Sequence, residues 1–164
     1  MESSAAAAPP HGTLHSTSPE GTDAIGQAIG RLAQPGTVIA LIGELGAGKT
    51  RLTKGIASGL GVTGVVNSPT FVLMNEHHGR LPLYHVDAYR LDDPQEGVAA
   101  GLLDEGHADG VAVIEWADRL EAYLPEERLE ITIEILDAED SERQLRWRAR
   151  GALHQRLAAE AFAR

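Results

Sequence analysis

Apolar positions in the first third of the chain recur with two different periods. Ile25, Ala28, Ile29 and Leu32 fall at i, i+3, i+4 and i+7, the spacing that lines one face of an α-helix. Ser18 followed by Pro19 supplies an N-cap and a first helical residue, and Pro35-Gly36 stops the segment. "TVIALI", Thr37 to Ile42, is then continuously apolar and partly β-branched, as expected for a parallel strand buried on both faces. A second helix is predicted from Lys49 to about Leu60, burying Leu52, Ile56 and Leu60, with Gly61 ending it.

Beyond this point strands dominate. Phe71 to Glu76 and Leu81 to Asp87 read as a hairpin turning around Gly79, and "GVAVIEW" as a short buried strand. Asp93, Pro94 and Glu96 form a capping-box arrangement that opens a short helix through "EGVAAGLLDEG". Leu129, Ile131, Ile133 and Ile135 alternate inward. Across the turn "DAEDSE", Leu145, Trp147 and Ala149 do the same, so these two segments form a second hairpin before a terminal helix, "ALHQRLAAEAFAR".

Composition narrows the class. The 164 residues have room for one domain, read as 18–164, with residues 1–17 expected to be a disordered tail. No apolar run approaches the roughly 18 residues that cross a bilayer, and no basic stretch precedes the alanines of "MESSAAAAPP". A cytoplasmic protein without membrane contact is the expectation. The absence of cysteine excludes disulfides, thiolate metal sites and cysteine nucleophiles. A net charge of -10 argues against broad contact with a phosphate backbone, so any nucleic acid is expected to be reached through a partner.

Chemistry enters between the first strand and second helix. In "GELGAGKT", Gly43, Gly46, Gly48, Lys49 and Thr50 satisfy the phosphate-loop pattern G-x-x-x-x-G-K-[ST]. The glycines let backbone N–H groups turn inward around phosphate, Lys49 neutralises the β- and γ-phosphates, and the Thr50 hydroxyl is a ligand for Mg²⁺. The helix N-terminus behind the loop adds partial positive charge. The fold implied is α/β: a P-loop NTPase-like, mostly parallel sheet flanked by helices, with antiparallel hairpin additions.

Such a loop requires an acid at the end of a neighbouring strand, and "VAVIE" supplies Glu115. In "LYHVDAYRL", period-two alternation puts Leu83, His85 and Asp87 on one face. Two such ligands do not make a transition-metal site, and a polar pair that orients water or senses the nucleotide is the better reading. Ser68, Pro69 and Thr70 stand where many NTPases carry a switch, although a proline at the start of a strand would look the same. Arg146, Arg148 and Arg150 share a strand face expected to be solvated, and His77 and His78 read as exposed loop residues.

Four ordered elements, "GELGAGKT", "SPTF", "LYHVDAYRL" with "DDPQE" soon after, and "VIEWADRL" followed by a proline, resemble the TsaE (YjeE) family. These are small bacterial ATPases required to form threonylcarbamoyladenosine on tRNA. The resemblance covers about Ser18 to Ile135. It implies ATP and Mg²⁺ as ligands and docking on TsaD and TsaB, with tRNA engaged only through that complex; the short chain, with no obvious arginine-finger lid, adds the expectation of slow hydrolysis that the partners accelerate. Lys49, Asp87 and Glu115 would carry catalysis, and Thr50 and Glu115 would hold Mg²⁺. Glu44, Gly46, Ala47, Gly48 and Arg51 would surround the phosphates with Lys49 and Thr50, Trp116 would shape the site, and Thr22 lies in a region that approaches the base. Many relatives carry a second threonine after the loop's threonine, where this chain has Arg51.

Two other classes stay open on sequence. A small-molecule kinase would need an acceptor pocket and a basic lid, and a nucleotide-dependent binding module would bind without hydrolysing. A GTPase would show N-K-x-D, and the dipeptide Asn-Lys does not occur.

Overall fold

Ser18 adopts an extended conformation, φ -157° and ψ 160°, and its hydroxyl accepts the Gly21 N–H at 2.9 Å. Helix α1, Pro19–Leu32, therefore starts where the Ser-Pro pair predicts. The coordinates are a computed structural model describing residues 10–44, 46–64, 66, 74–89, 93, 95, 108–136 and 142–163.

After α1 come β2, Thr37–Gly43, and α2, Lys49–Gly59. Gly61, at φ 80°, donates to Ser58 O at 3.0 Å while Val62 donates to Ala57 O at 3.0 Å, the paired bonds that close a helix on a left-handed residue. The chain continues through β3, Met74–His78, β4, Pro82–Asp87, and β5, Val111–Glu115. A 3-10 segment, Ala117–Tyr123, leads to β6, Arg128–Ile135, β7, Arg143–Arg150, and α3, Ala152–Ala161. Residues 68–73, 94, 96–107 and 137–141 lie outside the described residues, and with them the "SPTF" segment, most of the expected short helix and the second hairpin's turn. Of that helix's capping residues only Asp93 is described, its Oδ1 accepting Gln95 N–H at 3.0 Å.

With a further strand, β1, His11–Ser16, one seven-stranded sheet runs β1-β7-β6-β2-β5-β4-β3. Its centre, β6, β2, β5 and β4, is parallel, while β3 and β7 join it antiparallel, which is the expected α/β architecture. The larger core lies on the helical face, where Ile39, Leu41, Val113 and Ile131 meet Ile29, Leu52, Ile56 and Leu157. A smaller cluster on the opposite face packs Ala40, Val86 and Ile114 under Ala117 and Leu120 of the 3-10 segment.

The expected tail is corrected at residues 11–16. His11–Ser16 form β1, pairing antiparallel with β7 from His11↔Arg148 to Ser16↔Arg143. Leu14 packs on the core, and Gly12 lies so close to Trp147 that an added Cβ would sit 2.9 Å from the indole. One apolar residue in six is too little alternation to announce an edge strand, so tertiary pairing decides.

Two further contacts hold the helices in register with the loop. On α1 and α2 the pairs Gly26/Gly30 and Gly55/Gly59 face each other at backbone contact: an added Cβ on Gly26 would lie 2.6 Å from Leu52 O, and one on Gly55 2.5 Å from Asp23 O. The Arg80 guanidinium, in the β3–β4 turn, donates to Gly30 O, Arg31 O and Ala33 O at 2.7, 2.8 and 2.9 Å. It thereby satisfies carbonyls that the end of α1 leaves open.

Candidate functional site

Strand β2 ends at Gly43, and the chain turns through Gly46, φ 82°, and Gly48, φ 116°, into α2. Both glycines hold backbone that side chains rarely adopt, and an added Cβ at either would meet nothing within 4 Å. The loop therefore presents an open backbone cradle. Lys49 crosses it: Nζ donates to Gly43 O at 2.6 Å and Glu44 O at 2.8 Å, and lies 4.1 Å from the centre of the Trp116 ring. Burial lowers the Lys49 pKa, opposed in order by Glu115, Asp87, Asp118 and Glu44.

Glu115 closes the other side. The parallel register sets it beside Leu41 of β2 and Asp87 of β4, at the sheet edge from which the loop departs. Thr50 Oγ1 donates to its Oε1 at 3.1 Å, Thr53 Oγ1 lies 3.3 Å from Oε2 and His85 Nε2 lies 2.5 Å from Oε2. Glu115 as a residue is 2% exposed. Asp87 Oδ1 accepts the Tyr89 N–H at 2.9 Å. Burial raises the Asp87 pKa and Glu115 adds to the rise, while the Tyr89 bond, His85 and Lys49 oppose it.

Trp116 follows Glu115 with φ 59° and ψ 40°, the one non-glycine residue at positive φ among the described residues. A bulky side chain in this region is strained, by about 1–2 kcal/mol, and the conformation lays the indole against Lys49. Tyr89 packs edge-on against it at 4.7 Å between centroids, with the Arg119 guanidinium 5.5 Å from the Tyr89 ring.

On the loop's opposite flank is a cleft of about 180 Å³ lined by Pro19, Thr22, Ala47, Gly48, Arg51 and Arg143. Thr22 is buried, its hydroxyl 2.8 Å from Ser16 Oγ of β1. Arg143 Nε donates to Ala47 O at 2.9 Å, fixing the loop from β7. Sequence reading passes over Arg143, although it shares strand parity with Leu145, Trp147 and Ala149, a cation on the core-facing side. Thr53, one helical turn after Lys49 on a buried face of α2, carries no motif that would single it out in the sequence.

The expected residues thus fall into two groups. Lys49, Thr50, Asp87, Glu115 and Trp116 converge on one side of the loop, while Thr22 and Arg51 line the cleft on the other. Ser68, Pro69 and Thr70 lie outside the described residues. Arg146 and Arg150 pair with Glu134 and Glu130 at 3.0 and 3.6 Å on a partly solvated face, in keeping with a structural role. His77 and His78 belong to β3 rather than to a loop, His78 being exposed beside Glu76 at 3.3 Å.

Among the described residues no group of three or more His, Cys, Asp or Glu side chains is gathered for a metal. Mg²⁺ beside a nucleotide needs only one or two protein ligands and takes the rest from phosphate and water, so Thr50 with Glu115 fits that cation. No helix among these residues is long and apolar enough to cross a membrane.

The family described as "Threonylcarbamoyl adenosine biosynthesis protein TsaE" matches residues 16–145. The chain is 47% identical over 143 residues to the tRNA threonylcarbamoyladenosine biosynthesis protein TsaE of Bacillus subtilis, covering 87% of this chain and 88% of that one. It is 42% identical over 121 residues to the protein of the same name from Treponema pallidum, covering 74% and 90%. A crystal structure of Bacillus subtilis YdiB superposes with a TM-score of 0.81 at 38% identity, over 96% of this chain and 97% of that one.

Proposed function

Because the chain belongs to the TsaE family of tRNA threonylcarbamoyladenosine biosynthesis, we propose that it is the ATP-hydrolysing subunit of that machinery. In this reading it is cytoplasmic, acts with TsaD and TsaB homologues, and engages tRNA only through them. The observation that carries the reading is the meeting of Thr50 and Glu115, 3.1 Å apart, beside a loop whose lysine is already in place.

ATP enters with its phosphates over Gly46 and Gly48, where backbone N–H groups and the N-terminus of α2 favour negative charge. Lys49 leaves the Gly43 and Glu44 carbonyls for the β- and γ-phosphates. Thr50 and Glu115 would hold Mg²⁺, which would supply positive charge to offset that of the phosphates. Asp87 faces the same corner from β4 and orients the attacking water; its burial makes it a better proton acceptor than a solvated carboxylate. Water attacks the γ-phosphorus in line, the bond to the β–γ bridging oxygen breaks, and ADP and inorganic phosphate result. Positioning and charge neutralisation supply the rate enhancement. The cleft beside Thr22, Arg51 and Arg143 receives the nucleoside.

Tyr89, 40% exposed and packed against Trp116, connects the site to the surface, where a partner can sense the state of the loop. The net charge of -10 supports a protein partner rather than direct grip on tRNA. Lys49→Ala and Glu115→Ala separate hydrolysis from binding. On this proposal Lys49→Ala abolishes both, Glu115→Ala keeps nucleotide but stops hydrolysis, and neither supports tRNA modification in cells. Cellular function that survives Glu115→Ala while hydrolysis is lost would favour the nucleotide-dependent binding module. Transfer of the γ-phosphate to a small acceptor would favour the kinase.

A further inference from the structure

His85 is buried completely, yet it is not placed to touch a nucleotide. It shares a face of β4 with Asp87, but the parallel register sets Asp87 opposite Glu115 and His85 opposite Val113, two residues or about 6.6 Å deeper in the sheet. Its Nε2 meets Glu115 Oε2 at 2.5 Å, while its Nδ1 is buried without a hydrogen-bond partner among the described residues. An apolar side chain of similar size would fill this space without burying an unpaired nitrogen. Among the described residues the ring's hydrogen-bonding partner is the acid that faces the loop.

The two oxygens of Glu115 are engaged differently. Oε2 is held from behind by His85, and the Thr53 hydroxyl, 3.3 Å away, shares its single proton between Oε2 and Lys49 O at 2.8 Å. Among the described residues Oε1 has its hydrogen bond from Thr50, in the first turn of α2, at 3.1 Å, the same hydroxyl lying 3.5 Å from Oε2. We propose that His85 is a positioning residue: by fixing Oε2 it turns Oε1 toward the point where, with Thr50 Oγ1, it meets the divalent cation of a bound nucleotide. With Glu115 as acceptor, Nε2 carries the proton and donates. Thr53 assists from α2, so the carboxylate is oriented jointly by the strand beside it and the helix above it. Such outer partners restrict a ligand's orientation before the ion arrives, and their removal typically weakens metal affinity by about 10- to 100-fold.

This inference rests on the Mg²⁺-nucleotide reading of the site. Its test follows Mg²⁺ binding rather than hydrolysis, using the full chain saturated with a non-hydrolysable ATP analogue. Calorimetry gives the Mg²⁺ half-saturation, and analogue affinity is measured separately in EDTA. His85→Leu removes the donor, His85→Gln retains one, and Thr53→Val removes the second contact to Oε2. The expected result is unchanged analogue affinity in EDTA, a rise of about 10- to 100-fold in Mg²⁺ half-saturation for His85→Leu, and partial recovery in His85→Gln. Thr53→Val shifts in the same direction, and it decides the matter if His85→Leu does not fold. Folded variants with wild-type Mg²⁺ half-saturation, or with equal losses in EDTA and in Mg²⁺, would overturn the positioning role while leaving the site reading intact. A wild-type chain that binds the analogue with no dependence on Mg²⁺ would overturn both.

Discussion

Lys49 and Trp116 meet across the phosphate loop, the ammonium nitrogen 4.1 Å from the centre of the indole ring. The same nitrogen donates to two carbonyls at the end of β2, so the cation is caged before any phosphate arrives. On the proposed reading phosphate would replace the carbonyls, whereas the ring contact, worth about 0.5–2 kcal/mol when partly desolvated, belongs to the cage itself. Trp116 therefore reports on occupancy. ATP binding is expected to change the indole fluorescence of wild type and of Trp147→Phe but not of Trp116→Phe; an unchanged signal from Trp147→Phe would contradict this.

Lys49 also sets a pH dependence. Burial lowers its pKa in the free chain, and bound phosphates favour the protonated form. Affinity for ATP is full below the free-state pKa and falls as pH rises through it. Calorimetry from neutral pH up to the usual lysine value of about 10.4 should show the decline setting in below that value. A flat profile would show that the ammonium does not contribute to binding.

Asp87 is held against its own fold. Its pKa in the folded chain is raised above the usual carboxylate value, so the ionised form costs stability at neutral pH, and the cost disappears as pH falls through the raised value. Asp87→Asn should therefore raise the melting temperature of the ligand-free chain while abolishing hydrolysis, the trade expected of a carboxylate kept for function. Lower stability in Asp87→Asn would mean that the Tyr89 N–H bond outweighs burial.

Gly26 reverses an ordinary helix rule. Replacing an interior helix glycine by alanine usually gains about 0.5–1 kcal/mol, but here the methyl would lie 2.6 Å from Leu52 O. Gly26→Ala should instead lose about 1–3 kcal/mol in urea unfolding, the usual cost of overpacking. A gain would show that α1 and α2 separate freely.

His154 makes the fold acid-sensitive. Its Nε2 accepts the Val38 N–H at 3.0 Å, and burial pushes its pKa below the usual histidine value. The unfolded chain protonates first, so this contribution is complete above about pH 6.5 and is lost as pH falls through the lowered folded value. Melting temperatures of wild type and His154→Gln should converge on acidification; parallel curves would remove His154 from the account.

These residues differ in how far the sequence announces them. The Ser18-Pro19 helix start, the buried run of β2 and the loop glycines each follow from a local rule, because backbone sterics and capping act over a few residues. Asp87 and Glu115 are legible as acids at strand ends, but their adjacency depends on which strands neighbour β2, a long-range choice. Strand β1 carries one core residue and exists because β7 offers an open edge. Arg80 and Arg143 read as ordinary surface cations until the fold brings backbone carbonyls to them. The helix glycines read as weak points until α1 and α2 meet at them.

The central claim is that the loop hydrolyses ATP in the service of a larger machine. It is tested most directly by measuring phosphate release from ATP by the purified chain, alone and with the TsaB and TsaD homologues, beside Glu115→Ala. Slow release alone, clear stimulation by the partners and none from Glu115→Ala is the predicted result. Rapid release that the partners leave unchanged, or no release under either condition, would contradict it.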